Sequence, residues 1–277
     1  MHMGRSPFLL LLGIFAFSSA LFSKTGEKLF SKDFPIPSVS GPPASNVAGG
    51  FQQRMYKAAN GDSLRYLLFL PEDYNHKKSY PSVLWLHGKS ARGDNLSVLV
   101  AWGDEYGPLF FARPENQKNY PCFIVAPQCP PNEFWAGPWG KPASRQLRLI
   151  VKILKELGSR YKIDSKRQYV VGVSMGGFGT WDIIGRYPKI FAAAMPMCGG
   201  GYLPRAARLK NVAVWAFHGK ADQAVPPSRS RKMVAAAKKA GAKVKYTEYK
   251  GVGHDVWATA FKEPEFLFWL FGQKRNE

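Results

Sequence analysis

The chain has 277 residues and carries 39 Lys and Arg against 19 Asp and Glu, a formal net charge of +20. That length buries one sizeable core or two small ones, and 45% hydrophobic residues with 27 Gly exclude wholesale disorder. Three Cys cannot staple a disulfide scaffold, while the charge excess points first to nucleic acid, acidic surfaces or acidic glycans as partners.

Residues 1–23 read as an export signal. Arg5 supplies the positive start, FLLLLGIFAF the apolar run, and SSA the small residues for cleavage after Ala20. The apolar run is short for a membrane anchor, and Lys24, Glu27 and Lys28 soon follow; the expected location is secreted or periplasmic. Residues 24–46, punctuated by Pro and Gly, read as a linker or N-terminal arm. Strands are predicted at 51–58 and 64–70 around the hairpin turn Asn60–Gly61. SVLWLHG follows Pro81 as an apolar strand, and 96–102 reads as a short helix. A strand over 122–126 comes next, then a helix over 143–158 with apolar positions at Leu147, Ile150, Val151, Leu154 and Leu157. A strand at 169–173 runs into GVSMGG and a helix over 178–187. Further strands are predicted at 191–195, 212–217 and 244–249, with a helix over 228–240 ended by Gly241. From about residue 80 strands and helices alternate, and the strands are short continuous apolar runs, as a parallel sheet covered by helices requires. The expectation is one α/β domain over 47–272, followed by a tail at 273–277. Its central sheet is mostly parallel, of about eight strands, with helices on both faces.

Gly172-Val-Ser174-Met-Gly176 is G-x-S-x-G between an apolar strand and a helix, the context in which the motif has mechanical meaning. The strand must turn sharply into the helix, and the two Gly remove side chains from that crowding, leaving Ser174 above the sheet. A serine hydroxyl needs a base. Asp222 stands just past the strand that ends at HG 218–219, and His254 lies in a loop after the strand KVKYTEY. The order Ser174, Asp222, His254 is that of the α/β-hydrolases. His254 would take the Ser174 proton while Asp222 holds its tautomer; Asp255, adjacent to His254, is the rival acid. Oxyanion donors are expected from the backbone of Met175 and of Lys89, with Ser90 the alternative to Lys89. His87 and His218, both at His-Gly strand ends, read as structural, and Asp182 as a cap or ion-pair partner.

These residues resemble the α/β-hydrolase superfamily. A narrower likeness covers most of 50–272 through LHGKSARGDN, APQCP, YVVGVSMGGFGTWDI, FAAAMPMCGGG, VWAFHGKADQAVP and YKGVGHDVW. It is to the secreted predicted-peptidase or phospholipase–carboxylesterase-like group, related to feruloyl esterases and polyhydroxybutyrate depolymerases. The resemblance implies a serine carboxylesterase acting on short acyl or aromatic esters of carbohydrates. A polyester or lipid esterase, a serine peptidase and a noncatalytic binding protein on the same fold are the alternatives. Ser90 departs from the group, which tends toward Gly there, and Arg92 is expected to fix the loop.

Trp257, Trp135 and Trp139 fall on predicted loops and are the expected substrate contacts, since aromatic rings stack on sugars and aromatic acyl groups; Trp102 and Trp181 are expected in the core. Cys129 and Cys198 follow strands in a chain expected to be exported, and their separation in sequence leaves a disulfide open. The Cys and His lack zinc spacing, so neither metal nor cofactor is expected. The bases of 141–167 and 205–250 interleave with apolar helix positions and read as solvated faces. No nucleic-acid module and no second membrane-length run is present. The expected partners are therefore an ester substrate, polysaccharide-linked in the leading reading, and acidic extracellular polymer, met by a monomer.

Overall fold

A computed structural model describes residues 46–275. The expected signal, nearly all of the arm and the last two residues of the tail lie outside the described residues. Among the described residues, nine strands form one sheet in the order β1-β2-β3-β5-β4-β6-β7-β8-β9. They are β1 (Asn46–Val47), β2 (Phe51–Lys57), β3 (Ser63–Phe69), β4 (Tyr80–Leu86), β5 (Phe123–Pro127), β6 (Ile163–Val173), β7 (Ala193–Met197), β8 (Ala213–Gly219) and β9 (Val244–Tyr249). The β1–β2, β2–β3 and β3–β5 pairs are antiparallel. All pairs from β5 through β4 and β6 to β9 are parallel. The hairpin forms as expected, with Gly61 at φ 85°, a conformation that glycine adopts without a Cβ penalty.

Both faces of the sheet are covered, and the period-2 alternation of side chains divides the core accordingly. In β4, Leu84 and Leu86 face one core layer while Val83 and Trp85 face the other; in β8, Val214 and Ala216 oppose Trp215 and Phe217. The first layer packs against α3 (Arg145–Arg160), α4 (Met175–Arg186) and α5 (Ser228–Lys239). The second packs against α1 (Pro108–Ala112), the C-terminal α6 (Trp257–Ala260) and α7 (Phe266–Phe271). The short α2 (Pro114–Asn119) follows α1 directly. In α3 the stripe predicted from Leu147 to Leu157 is buried, and Ser144 caps the helix by accepting the Leu147 N–H. Trp181 is buried as expected. Asp182 is buried within α4 and paired with Arg186 at 2.8 Å and Arg205 at 3.1 Å.

Several boundaries differ from expectation. Residues 96–102 make only a 3-10 turn, Leu96–Leu99, capped by Asn95. Helices α1 and α2 were not evident in the sequence: each begins at a Pro in its first turn and is too short to show periodicity. β6 starts six residues earlier than its apolar run, because Ile163 pairs with Tyr80 across an irregular register.

The junction of β6 and α4 is the tightest part of the fold. A Cβ on Gly176 would lie 1.8 Å from Leu86 O, and one on Gly172 2.4 Å from Gly176 O. We therefore expect Gly176→Ala to cost more than about 3 kcal/mol in chemical denaturation, or to prevent soluble expression. Gly158→Ala, where nothing stands within 4 Å inside α3, should be stabilising by about 0.5–1 kcal/mol.

Candidate active site

The crowding places Ser174 at the C-terminal end of β6, just before α4, with φ 53° and ψ −116°. A non-glycine residue at positive φ is strained, and such strain persists only where surrounding structure over-determines it. Here the Ser174 N–H donates to Met197 O at 3.0 Å and its carbonyl accepts from Phe178 N–H.

The two partners arrive on loops that are joined to each other. After β8, Ala221 N–H donates to Val252 O at 2.9 Å, and after β9 the Gly253 carbonyl lies where a Cβ on Gly219 would be, 2.1 Å away. The loops thus carry Asp222 and His254 into one corner. His254 Nδ1 lies 2.7 Å from Asp222 Oδ2, and His254 Nε2 lies 2.8 Å from Ser174 Oγ. Asp222 Oδ1 accepts the N–H groups of Ala224 and Val225, each at 2.8 Å. Burial works to raise the Asp222 pKa, but hydrogen bonds from His218 and His254, with the Val225 N–H, outweigh it and hold the carboxyl below its ordinary range. Asp255 is exposed on the surface, and Asp222 takes the position beside the imidazole.

Met175 opens α4, so its N–H belongs to the first helical turn, whose donors have no partner within the helix. Lys89 opens the 3-10 turn Lys89–Ala91 after Gly88. A Cβ on Gly88 would stand 3.8 Å from Ser174 Cβ, so this loop passes directly beside the serine. Its base is fixed by buried His87, whose Nδ1–H donates to Gly88 O at 2.6 Å while Nε2 accepts Cys129 N–H at 2.9 Å. Arg92 donates to Glu133 O and lies over Phe134, which is the loop-fixing role expected of it.

A narrow cavity of about 80 Å³ opens at Ser174 and His254. Its aromatic lining is Trp85, Trp102, Tyr106 and Trp257. Of the three tryptophans expected at the substrate, Trp257 lines it, with its ring 5.8 Å from that of His254. Trp135 does not: it is fully buried, donates its indole N–H to His87 O and packs on Gly179, so it supports the loop from beneath. Trp139 is half-buried under Arg229, 5.4 Å away, and outside the cavity lining. Trp102, expected in the core, lines the cavity instead. Together with Tyr106 it comes from the irregular segment between the 3-10 turn and α1, where periodicity gives no signal.

All three Cys are buried free thiols, with no Cys129–Cys198 bridge. Cys198, Asp222 and His254 offer ligand atoms within 4.8 Å of one another. The acid and imidazole already bond each other, and burial, reinforced by Asp222, pushes the Cys198 thiol well up.

Sheet order, the serine at the strand–helix turn and the joined loops give the chain the α/β-hydrolase fold. Residues 134–264, which include Ser174, Asp222 and His254, match the Dienelactone hydrolase family. A crystal structure of a thermostable esterase is 37% identical, with a TM-score of 0.78 over 83% of this chain and 64% of the other. Probable feruloyl esterase C of Aspergillus flavus is 26% identical over 161 residues, 58% of this chain and 56% of that protein. Dipeptidyl-peptidase 5 of Porphyromonas gingivalis is 24% identical over 153 residues, 53% of this chain and 21% of that protein. The matched region thus spans from about a fifth to just over half of these two curated relatives. Over the matched regions the chain is similar to esterases.

Burial lowers the His87 pKa to about 4 from its ordinary 6.5. As pH falls from 6.5 toward 4, the unfolded chain takes the proton while the folded chain does not, so stability is lost across that window. The loss is at most about 3 kcal/mol. The denaturation midpoint should fall accordingly, and the His87 ring resonance should stay unprotonated above pH 5; a ring titrating near 6.5 would contradict the assignment.

Proposed function

We propose that this chain is a serine carboxylesterase in which Ser174 is the nucleophile, His254 the general base and Asp222 the orienting acid. The observation that carries this reading is the unbroken relay from Ser174 Oγ to His254 Nε2 at 2.8 Å and from His254 Nδ1 to Asp222 Oδ2 at 2.7 Å. Oγ attacks the ester carbonyl as His254 takes its proton; the N–H groups of Met175 and Lys89 receive the oxyanion. His254 then protonates the departing alcohol. Water, deprotonated by the same imidazole, releases the acid from the acyl-enzyme.

The substrate we favour is a short acyl or aromatic ester of a carbohydrate. A small cavity of about 80 Å³ with four aromatic side chains suits a small or planar acyl group better than a polyester chain. The name of the feruloyl esterase relative agrees with this choice. In this reading the chain is exported by residues 1–23 and acts as a monomer. The sugar portion belongs to an acidic polymer, because the charge is one-sided. The outer faces of α3 and α5, which cover the same sheet face, expose Arg148, Lys152, Lys155, Lys232, Lys238 and Lys239; α5 has no acidic residue and α3 only Glu156. Such a field attracts polyanions and weakens with salt.

Ser174→Ala should lower p-nitrophenyl acetate turnover by at least about 10⁴-fold with the melting temperature retained; wild-type turnover would sink the mechanism.

A substrate series tests the finer reading. Trp257→Ala should impair methyl ferulate more than p-nitrophenyl acetate. Turnover of acetylated polygalacturonate should fall as salt rises from low to about 0.5 M while p-nitrophenyl acetate is unaffected. Preference for a polyester film or a peptide amide would replace this substrate class.

A further inference from the structure

The relay does not end at Asp222. His218, the last but one residue of β8, is fully buried. Its Nε2 lies 2.9 Å from Val225 O and 3.2 Å from Asp222 Oδ2, the same oxygen that receives His254. A carbonyl and a carboxylate only accept, so this nitrogen carries the hydrogen. Its Nδ1, the acceptor of the neutral ring, takes the Ser230 O–H from α5 with Oγ at 2.7 Å, and Ser230 Oγ also stands 2.9 Å from Gly199 O. The ring is therefore held at both nitrogens, between the end of β8, the first turn of α5 and the loop after β7.

We propose that His218 is a positioning residue that shares the Asp222 carboxylate with His254 and limits how tightly it holds the His254 proton; this rests on the triad reading above. The carboxylate has four donors. Two backbone N–H groups fix Oδ1, and two imidazoles divide Oδ2. The titratable groups around it are His218 from β8, His254 from the loop after β9, and the Cys198 thiol from the end of β7. A packing role alone would require none of this polar geometry. A buried aromatic of similar volume would fill the space, but the second lone pair of Oδ2 would then face no donor.

Removing the donor has two consequences. The carboxylate loses one of its four anchors, so the His254 ring is oriented less well and kcat falls. The negative charge left on Oδ2 is concentrated on a single imidazole, so His254 stays protonated to higher pH and the acidic limb of kcat/KM moves upward. In His218→Leu we expect kcat for p-nitrophenyl acetate to fall by about tenfold or more, KM to change less than twofold, and the acidic limb to shift to higher pH. The fall should remain well short of the ~10⁴-fold lost when a triad acid is neutralised. His218→Gln, whose amide nitrogen reaches the place of Nε2, should recover most of kcat and restore the limb.

His218→Leu with wild-type kcat and wild-type pH profile would overturn the proposal. So would equal impairment of Leu and Gln variants with an unmoved limb, which would assign His218 to packing. If His218→Leu does not fold by circular dichroism, Ser230→Ala decides. It keeps the ring and removes its brace, and should move kcat and the acidic limb in the same direction by a smaller amount; no movement in either rejects the role. Ser174→Ala separates the two claims, since its loss of turnover with an unaffected His218→Leu leaves the triad standing and removes only this inference.

Discussion

The close approach of α4 to the ends of β4 and β7 is the constraint from which the rest of the site follows. The helix can start at Met175 only because Gly176 presents no side chain to Leu86 O and Gly177 none to Met197 O. That contact forces the chain through positive φ at Ser174, with the stress distributed over a hydrogen-bonded turn and a buried helix. Raising the serine hydroxyl clear of the sheet, aiming the first-turn N–H groups of α4 beside it, and bringing the Gly88 loop within van der Waals reach are three results of one packing decision. Side-chain volume at Gly176 is therefore incompatible with the site as well as with the fold.

The second requirement is that a carboxylate stay ionised where burial opposes it. Asp222 meets it by exhausting its acceptor capacity: two amides on one oxygen and two rings on the other. Desolvation would favour the neutral acid, and the donors reverse that preference. The same low-dielectric setting that makes an unpaired charge expensive makes a fully paired one geometrically rigid, and in the proposed mechanism that rigidity orients His254. The basic faces of α3 and α5 have no part in this balance: those helices pack against the sheet through their apolar stripes, while the site opens at the strand ends.

Much of this was legible in the chain itself. Ser174, Asp222 and His254 could be read because each follows a strand legible in the sequence, and because chain order restricts which loops can meet. The sheet was legible for the same reason, since buried parallel strands are continuous apolar words such as SVLWLHG. What escaped was whatever depends on a loop's direction. Trp135 and Trp257 both occupy loop-like sequence, yet one turns inward beneath His87 and the other borders the cavity. Loop position reveals that a ring is not in a strand or helix; it does not reveal on which side of the backbone the ring lies. Trp102 fails in the opposite sense, since the expected helix over 96–102 shrinks to a 3-10 turn and that residue lines the cavity.

The inward turn of Trp135 changes what an aromatic-rich hydrolase sequence means. Its indole N–H is spent on His87 O, and its ring packs edge-on against His87 at 5.0 Å. His87 in turn fixes Gly88 and Cys129. A Trp there acts two residues away from the oxyanion loop without touching substrate. Trp257, Trp102 and Tyr106 instead contribute surface to the cavity. In the proposed mechanism, exchange among these three would alter the shape offered to an acyl group, while exchange at Trp135 would alter the support of the Gly88–Lys89 backbone. Cavity shape and loop support thus rest on different aromatic residues, which lets the cavity wall vary without disturbing that backbone.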